Sequence, residues 1–275
     1  MKKCVKIFIF LAAVSLFLAC DTNGNKQNSS QGGNASAQQA TPHTFVLADT
    51  TALIPIDTLV SDSPCLSIAL SLEVAAADHP HATAINNIIT YAAYGHEAST
   101  PMEATRLFAN EITSEYHNLR AEYINVRDVD NSPKWLNFKY DIQGRVHKTH
   151  NGIINYIIKS DIYTGGPHAH TTHTYINIDN KTGQEITLDD IFTECYEEPL
   201  THIIANALTK NQEKENNPHH PEAHEIFPID NFILGKDSIV FLYNSDDMAS
   251  HSRKETRIAI GLNEIDKLLK KQNQE

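Results

Sequence analysis

The chain has 275 residues, of which 41% are hydrophobic and 20% charged. That is enough apolar material to bury a core, and too much for a mainly disordered or fibrous protein. With 22 Lys and Arg against 34 Asp and Glu the formal charge is −12. A dedicated nucleic-acid binder needs a basic footprint, so that class is excluded.

Lys2, Lys3 and Lys6 make a basic start before an apolar run at 7–19 (IFIFLAAVSLFLA), broken only by Ser15. A helix of that length rises about 20 Å, short of a hydrocarbon core of about 30 Å. A basic start before a short apolar run is the pattern of an export signal. Its end, Phe17-Leu18-Ala19-Cys20, resembles the bacterial lipobox. The resemblance implies cleavage after Ala19 and acylation of Cys20. The mature protein is then a lipoprotein of the bacterial cell envelope, on the periplasmic side or the cell surface, anchored without a span. Residues 1–19 are thus expected to be the signal peptide, and 20–60 the lipidated cysteine and a flexible tether. Residues 21–41 (DTNGNKQNSSQGGNASAQQAT) hold almost nothing apolar to bury. Cys4 leaves with the signal, so Cys65 and Cys195 remain. In an oxidising compartment they can persist as a disulfide; the alternative is two separate buried thiols.

The folded part is expected from about residue 60. Leu66, Ile68, Leu70, Leu72 and Val74 alternate as in a half-buried strand. Asp78 can cap a helix carrying Ile85, Ile88, Ile89 and Ala92 on one face. Thr100-Pro101-Met102-Glu103 is a capping box with Pro at the first helical position, leading a face of Leu107, Phe108, Ile112, Tyr116 and Leu119. Period-2 alternation returns at 136–142, 154–158 and 174–178, and Asn180–Gly183 supplies a turn. Asp189-Asp190 read as the cap of a helix with Leu200, Ile203, Ile204, Ala207 and Leu208 as its stripe. Residues 211–228 read as a polar loop. A hairpin at 231–235 and 238–243, a strand at Arg257–Ile260 and a closing helix with Ile265, Leu268 and Leu269 follow. Strands and helices come in groups, so the expected class is α+β, a mainly antiparallel sheet packed against a few helices.

Tyr163-Thr-Gly-Gly-Pro-His168, Tyr175-Ile-Asn-Ile-Asp179, Thr182-Gly183, Ile186–Phe192, Asn231-Phe232, Ile239–Asn244 and Met248-Ala249 carry a family resemblance. They resemble the domain of unknown function 3298, which forms the extracellular lysozyme-sensing part of the sigma-V anti-sigma factor. The stretch 66–163 resembles the domain's usual partner, the deacetylase-associated domain of unknown function 4163 found in some peptidoglycan deacetylases. The resemblance implies a region at 61–163 and a second at 164–270, packed together as a single unit. Only six residues precede the apolar run at 7–19 and no deacetylase domain fits in the chain, so neither sigma-factor control nor deacetylation is expected.

Gly165, Gly166, His168, His170 and His173 form the most site-like cluster. On an extended segment His168 and His170 point to one side, but H-x-H-x-x-H is not an established zinc set, so no metal site is assigned. The glycines can supply φ > 0 in a turn where backbone approaches a ligand. His219, His220 and His224 read as solvated loop residues. Trp135, Tyr140, Tyr156, Tyr163 and Tyr175 are placed on strands, as core or as a binding surface. G-x-S-x-G, H-E-x-x-H, P-loop and G-x-G-x-x-G patterns do not occur, and no cofactor is called for. The favoured reading is a non-catalytic binding module recognising a lysozyme-like protein or a peptidoglycan fragment. The alternative is a cell-wall glycan hydrolase or metal-dependent envelope enzyme.

Overall fold

Leu66, Ile68, Leu70, Leu72 and Val74 put five apolar side chains on one face of a strand, and each is at most 5% exposed. The strand, Cys65–Ala75 (β2), lies between Phe45–Pro55 (β1) and Lys139–His150 (β3). Ile153–Tyr163 (β4) and His170–Asp179 (β5) complete a sheet of order β1-β2-β3-β4-β5. This computed structural model describes residues 45–128, 133–215, 226–245, 247 and 255–271. The signal segment 1–19, Cys20, and His219, His220 and His224 lie outside the described residues.

All neighbours in the large sheet are antiparallel except β2 and β3. A parallel pair needs a long crossover, and this one carries Ala82–Tyr94 (α1), Pro101–Asn118 (α2) and Arg120–Val126 (α3). Ile85, Ile89, Ile112 and Tyr116 cover the apolar face of the sheet, meeting Leu70, Ile142, Tyr156 and Ile178 in one core. Helix α1 starts after His81 and not at Asp78, and Ala92 is exposed. Buried His79 sets the start: its Nδ1 accepts from His81 N at 3.0 Å, so its Nε2 carries the proton toward Asn180 Oδ1 at 2.9 Å. Thr100 caps α2 as expected, accepting from Glu103 N, while the Glu103 carboxylate reaches back to Ser99.

Two expected boundaries move. Residues 45–55, assigned to the tether, are a full strand paired with β2 from Phe45↔Ala75 to Pro55↔Cys65. The division at 163/164 falls inside a hairpin, because β4 and β5 pair from Ile153↔Asp179 to Ile162↔His170. The first structural unit therefore runs through β5.

The second core gathers Leu188–Ile191 (α4), Glu197–Glu215 (α5) and an antiparallel sheet of Phe232–Leu234 (β6), Ser238–Tyr243 (β7) and Thr256–Gly261 (β8). Leu200, Ile204 and Leu208 of α5 pack on Phe232, Phe241 and Ile258. Asp190 caps α4 rather than α5: Thr187 N donates to its Oδ2 at 2.9 Å. Residues 211–215, read as loop, continue α5. The closing helix is replaced by 3₁₀ turns at Leu262–Glu264 and Asp266–Leu268, which the same i, i+3 spacing of Ile265 and Leu268 serves equally well. Among the described residues the fold is eight strands in two mostly antiparallel sheets with a few helices, as the α+β expectation has it. No described helix is long and apolar enough to cross a membrane.

Candidate functional site

The glycine–histidine segment is the β4–β5 connection and the start of β5. Gly165 has φ +95°, and a Cβ there would sit 2.8 Å from Trp135 O. Only glycine permits both, so the loop backbone lies directly on Trp135. Trp135 itself sits in a 3₁₀ turn, Lys134–Leu136, and not on a strand. Gly166 differs from its neighbour: its φ is ordinary, and the nearest atom to an added Cβ is 3.8 Å away. The expectation that both glycines supply φ > 0 therefore holds for Gly165 alone.

The three histidines do not converge. His168 and His170 are exposed. His170 and His173 are three apart on one strand and so face opposite sides of the sheet. Among the described residues no group of three His, Cys, Asp or Glu is placed to hold a metal ion.

His173 belongs instead to a polar seam joining the two cores. Its Nδ1 lies 2.7 Å from Glu255 Oε2, and the other Glu255 oxygen is 2.6 Å from Arg257. The Arg257 guanidinium stands 6.0 Å from the centre of the Tyr175 ring. The backbone of β5 is served by side chains where a sixth strand would lie. His173 N donates to Asn244 Oδ1 at 2.8 Å, and Tyr175 N donates to Asn231 Oδ1 at 2.7 Å. Asn231 and Asn244 both donate back to His173 O. Sequence reading named Asn231 and Asn244 within motifs but missed their role along β5. The available signal was polar Asn155 and Asn177 set among isoleucines in otherwise apolar strands.

The face of the large sheet away from α1 and α2 carries the other cluster. Asp141 and Asp161 are directly opposed on β3 and β4, and Lys139 Nζ reaches both, at 3.3 and 2.6 Å. Thr171 Oγ1 donates to Asp161 at 3.0 Å and Gln143 Nε2 to Asp141 at 2.9 Å. The Lys139 ammonium holds the Asp161 carboxyl below the usual carboxylate range, and Asp161 raises Lys139 in return. Asp161 therefore stays ionised, the opposite of a glycosidase acid, whose pKa must be raised to keep its proton. What the cluster offers is a fixed row of charged and hydroxyl groups. It borders the 164–170 loop, beside small Ser67, Ala69 and Ser71 on β2.

The Cys65–Cys195 bridge is not formed. Cys65 opens β2 in the first unit, where its thiol donates to Ser63 O at 3.4 Å. Cys195 is exposed, with φ +64°, in the turn between α4 and α5 of the second.

Residues 189–263 match the family described as protein of unknown function, DUF3298. The matched stretch is the second core, from α4 to β8. The Tyr163–His168 and Tyr175–Asp179 motifs lie ahead of it. The fold is similar to a crystal structure of a DUF3298 member from Bacteroides fragilis, with a TM-score of 0.71 at 23% identity, covering 83% of this chain and 94% of that one. A DUF3298 protein from Pseudomonas aeruginosa gives a TM-score of 0.51 at 16% identity, covering 84% of this chain and 96% of that one. At such identities the likeness is one of fold. No curated protein matches the chain.

Proposed function

We propose that the protein is a non-catalytic recognition lipoprotein of the bacterial envelope. It is held by a lipid on Cys20 and binds a lysozyme-like protein or a peptidoglycan fragment. The ligand surface is the 164–173 segment with the Lys139, Asp161 and Thr171 row beside it. The observation that carries this reading is that row: half-exposed Lys139 and Asp161 and exposed Thr171, held in place by each other, with Asp161 kept charged instead of poised to give up a proton. Support also comes from the resemblance to the lysozyme-sensing and deacetylase-associated domains. Loss of the three lysines in 1–19 takes the formal charge from −12 to −15. That charge attracts cationic partners over a range screened beyond about 8 Å at physiological salt.

The test is binding of the chain from residue 20 to a cationic lysozyme and to soluble peptidoglycan fragments, at low and at physiological salt. Wild type is expected to bind at both, and His168→Ala with His170→Ala to bind at least about tenfold more weakly. Binding that vanishes at physiological salt, or ignores the double substitution, would reduce the effect to charge attraction. Turnover of peptidoglycan would replace the reading with the hydrolase. Mass spectrometry of the membrane-extracted protein is expected to find an acylated amino-terminal Cys20 peptide, and Cys20→Ser to release the protein from membranes.

A further inference from the structure

The two outer edges of the five-stranded sheet are treated differently. Along β5 the backbone is capped by Asn231 and Asn244. Along β1 no strand lies on the outer side among the described residues. Natural edges are blunted by shortness, lysines, bulges or proline. Strand β1 is 11 residues long, has no lysine, pairs with β2 without a bulge, and holds proline only at its last position. It also leaves Leu47 60% and Leu53 69% exposed.

Read outward from Thr50, β1 (FVLADTTALIP) is close to a palindrome. Leu47 and Leu53 are equidistant from Thr50, as are Ala48 and Ala52, and Val46 and Ile54. Asp49, its only charged residue, is matched by Thr51. Antiparallel pairing of two identical strands about a two-fold axis sets equidistant residues opposite one another, and opposed residues share a face. Each exposed leucine then meets the other exposed leucine, and the Asp49 carboxylate meets a hydroxyl donor and not a second carboxylate. We propose that β1 is a self-association edge: two copies of this chain join by antiparallel β1–β1 pairing centred on Thr50, making one continuous ten-stranded sheet. The charge and apolar pattern is what selects a second copy as the occupant, since an unrelated strand would gain nothing from the symmetry.

The test is cysteine cross-linking of the full chain in its own membranes, with wild type as the background for the native cysteines. At the two-fold, opposed Cα atoms lie about 4.5–5.5 Å apart, within disulfide reach. Thr50→Cys is therefore expected to give a reducible dimer under mild oxidation. Ala48→Cys is expected to give no more than wild type, because two copies of residue 48 are four positions, or about 13 Å, out of step. Adding Leu53→Lys to Thr50→Cys is expected to cut the yield at least about tenfold by charging the edge. Equal cross-linking at 48 and 50 would mean random collision and overturn the proposal, as would a yield indifferent to Leu53→Lys. Sedimentation of the unsubstituted chain from residue 20 decides independently of any variant's folding: a dimer is expected. A monomer, or a monomer whose β1 amides are protected by its own amino-terminal segment or an added peptide, would overturn it.

Discussion

Asn155 donates through Nδ2 to Asn177 Oδ1 at 2.9 Å, and both side chains are at most 1% exposed. The same Asn177 oxygen accepts from Leu234 N, and its Nδ2 donates to Phe232 O, each at 2.9 Å. One side-chain amide thus serves β6 as a neighbouring strand would. A buried donor or acceptor left unmet costs about 1–3 kcal/mol. Asn177→Ala strands Leu234 N and Phe232 O together and is expected to destabilise the protein by about 3 kcal/mol. The loss should fall mainly on the seam, so calorimetry of the variant is expected to resolve two transitions where wild type shows one. A single transition at an unchanged midpoint would mean that the amide does not couple the cores.

The loop over Trp135 makes a contrast between adjacent glycines. Gly165→Ala must hold a side chain at φ +95° and meet Trp135 O at 2.8 Å. It is expected to cost about 1–3 kcal/mol. Gly166→Ala has open space and ordinary backbone, and is expected to change stability by less than about 0.5 kcal/mol. Urea midpoints of the two variants check this, and equal losses would contradict the geometry.

Legibility followed burial. Strand β2 was readable because its polar and apolar faces differ, with Leu66 to Val74 buried in alternation. Strand β1 was not: it is exposed on much of both faces, its apolar residues run consecutively at 45–48 and 52–54 instead of alternating with polar ones, and it follows a polar stretch that reads as tether. The β4–β5 hairpin was assigned as two strands but divided between domains, since alternation tells a strand from a loop and not which sheet it joins. The histidine segment was found, but not that His173 faces the side of the sheet opposite His170, because i to i+3 in a strand crosses the sheet. The seam stayed hidden for a plainer reason. Asn155 and Asn177 look like interruptions of an apolar pattern until Phe232 and Leu234, more than fifty positions away, supply their partners.

Gly144 records how tightly the first core is filled. A Cβ there would lie 2.5 Å from the Tyr156 hydroxyl and 2.6 Å from Leu72 Cδ2. Tyr156 is fully buried, its hydroxyl makes no well-formed hydrogen bond although the Glu73 backbone is near it, and burial pushes its pKa upward. Gly144→Ala is expected to cost about 1–3 kcal/mol through overpacking. Tyr156→Phe alone gives up no well-formed hydrogen bond, only the poor contact with the Glu73 backbone, and is expected to be near neutral. Combined, the two should recover much of the loss, a favourable coupling readable in a double-mutant cycle. Additive losses would show that Leu72, not the hydroxyl, sets the limit.

Two carboxylates make stability depend on acid in a direction that can be worked out. Asp190 accepts from Thr187 N and Oγ1 at 2.9 and 2.8 Å, which holds its carboxyl below the usual range. Asp161 is held down first by the hydrogen bond from Lys139 and then by Thr171. A carboxyl whose folded pKa is depressed takes up protons more readily in the unfolded chain, so stability rises with pH across its titration. The contribution is complete above the unfolded value of about 3.9 and is lost as pH falls through the lower folded values. The Asp190 side chain is exposed and the Lys139–Asp161 pair is only partly buried, so the amounts are small: about 1 kcal/mol for the Asp190 cap and about 0.5 kcal/mol for Asp161. Asp190→Asn with Asp161→Asn is therefore expected to be less stable than wild type near pH 7, and the gap to narrow steadily below about pH 4. Urea midpoints at neutral, mildly acidic and strongly acidic pH measure it. A gap that stays constant into strong acid would place the effect in packing, not in the ionised carboxylates.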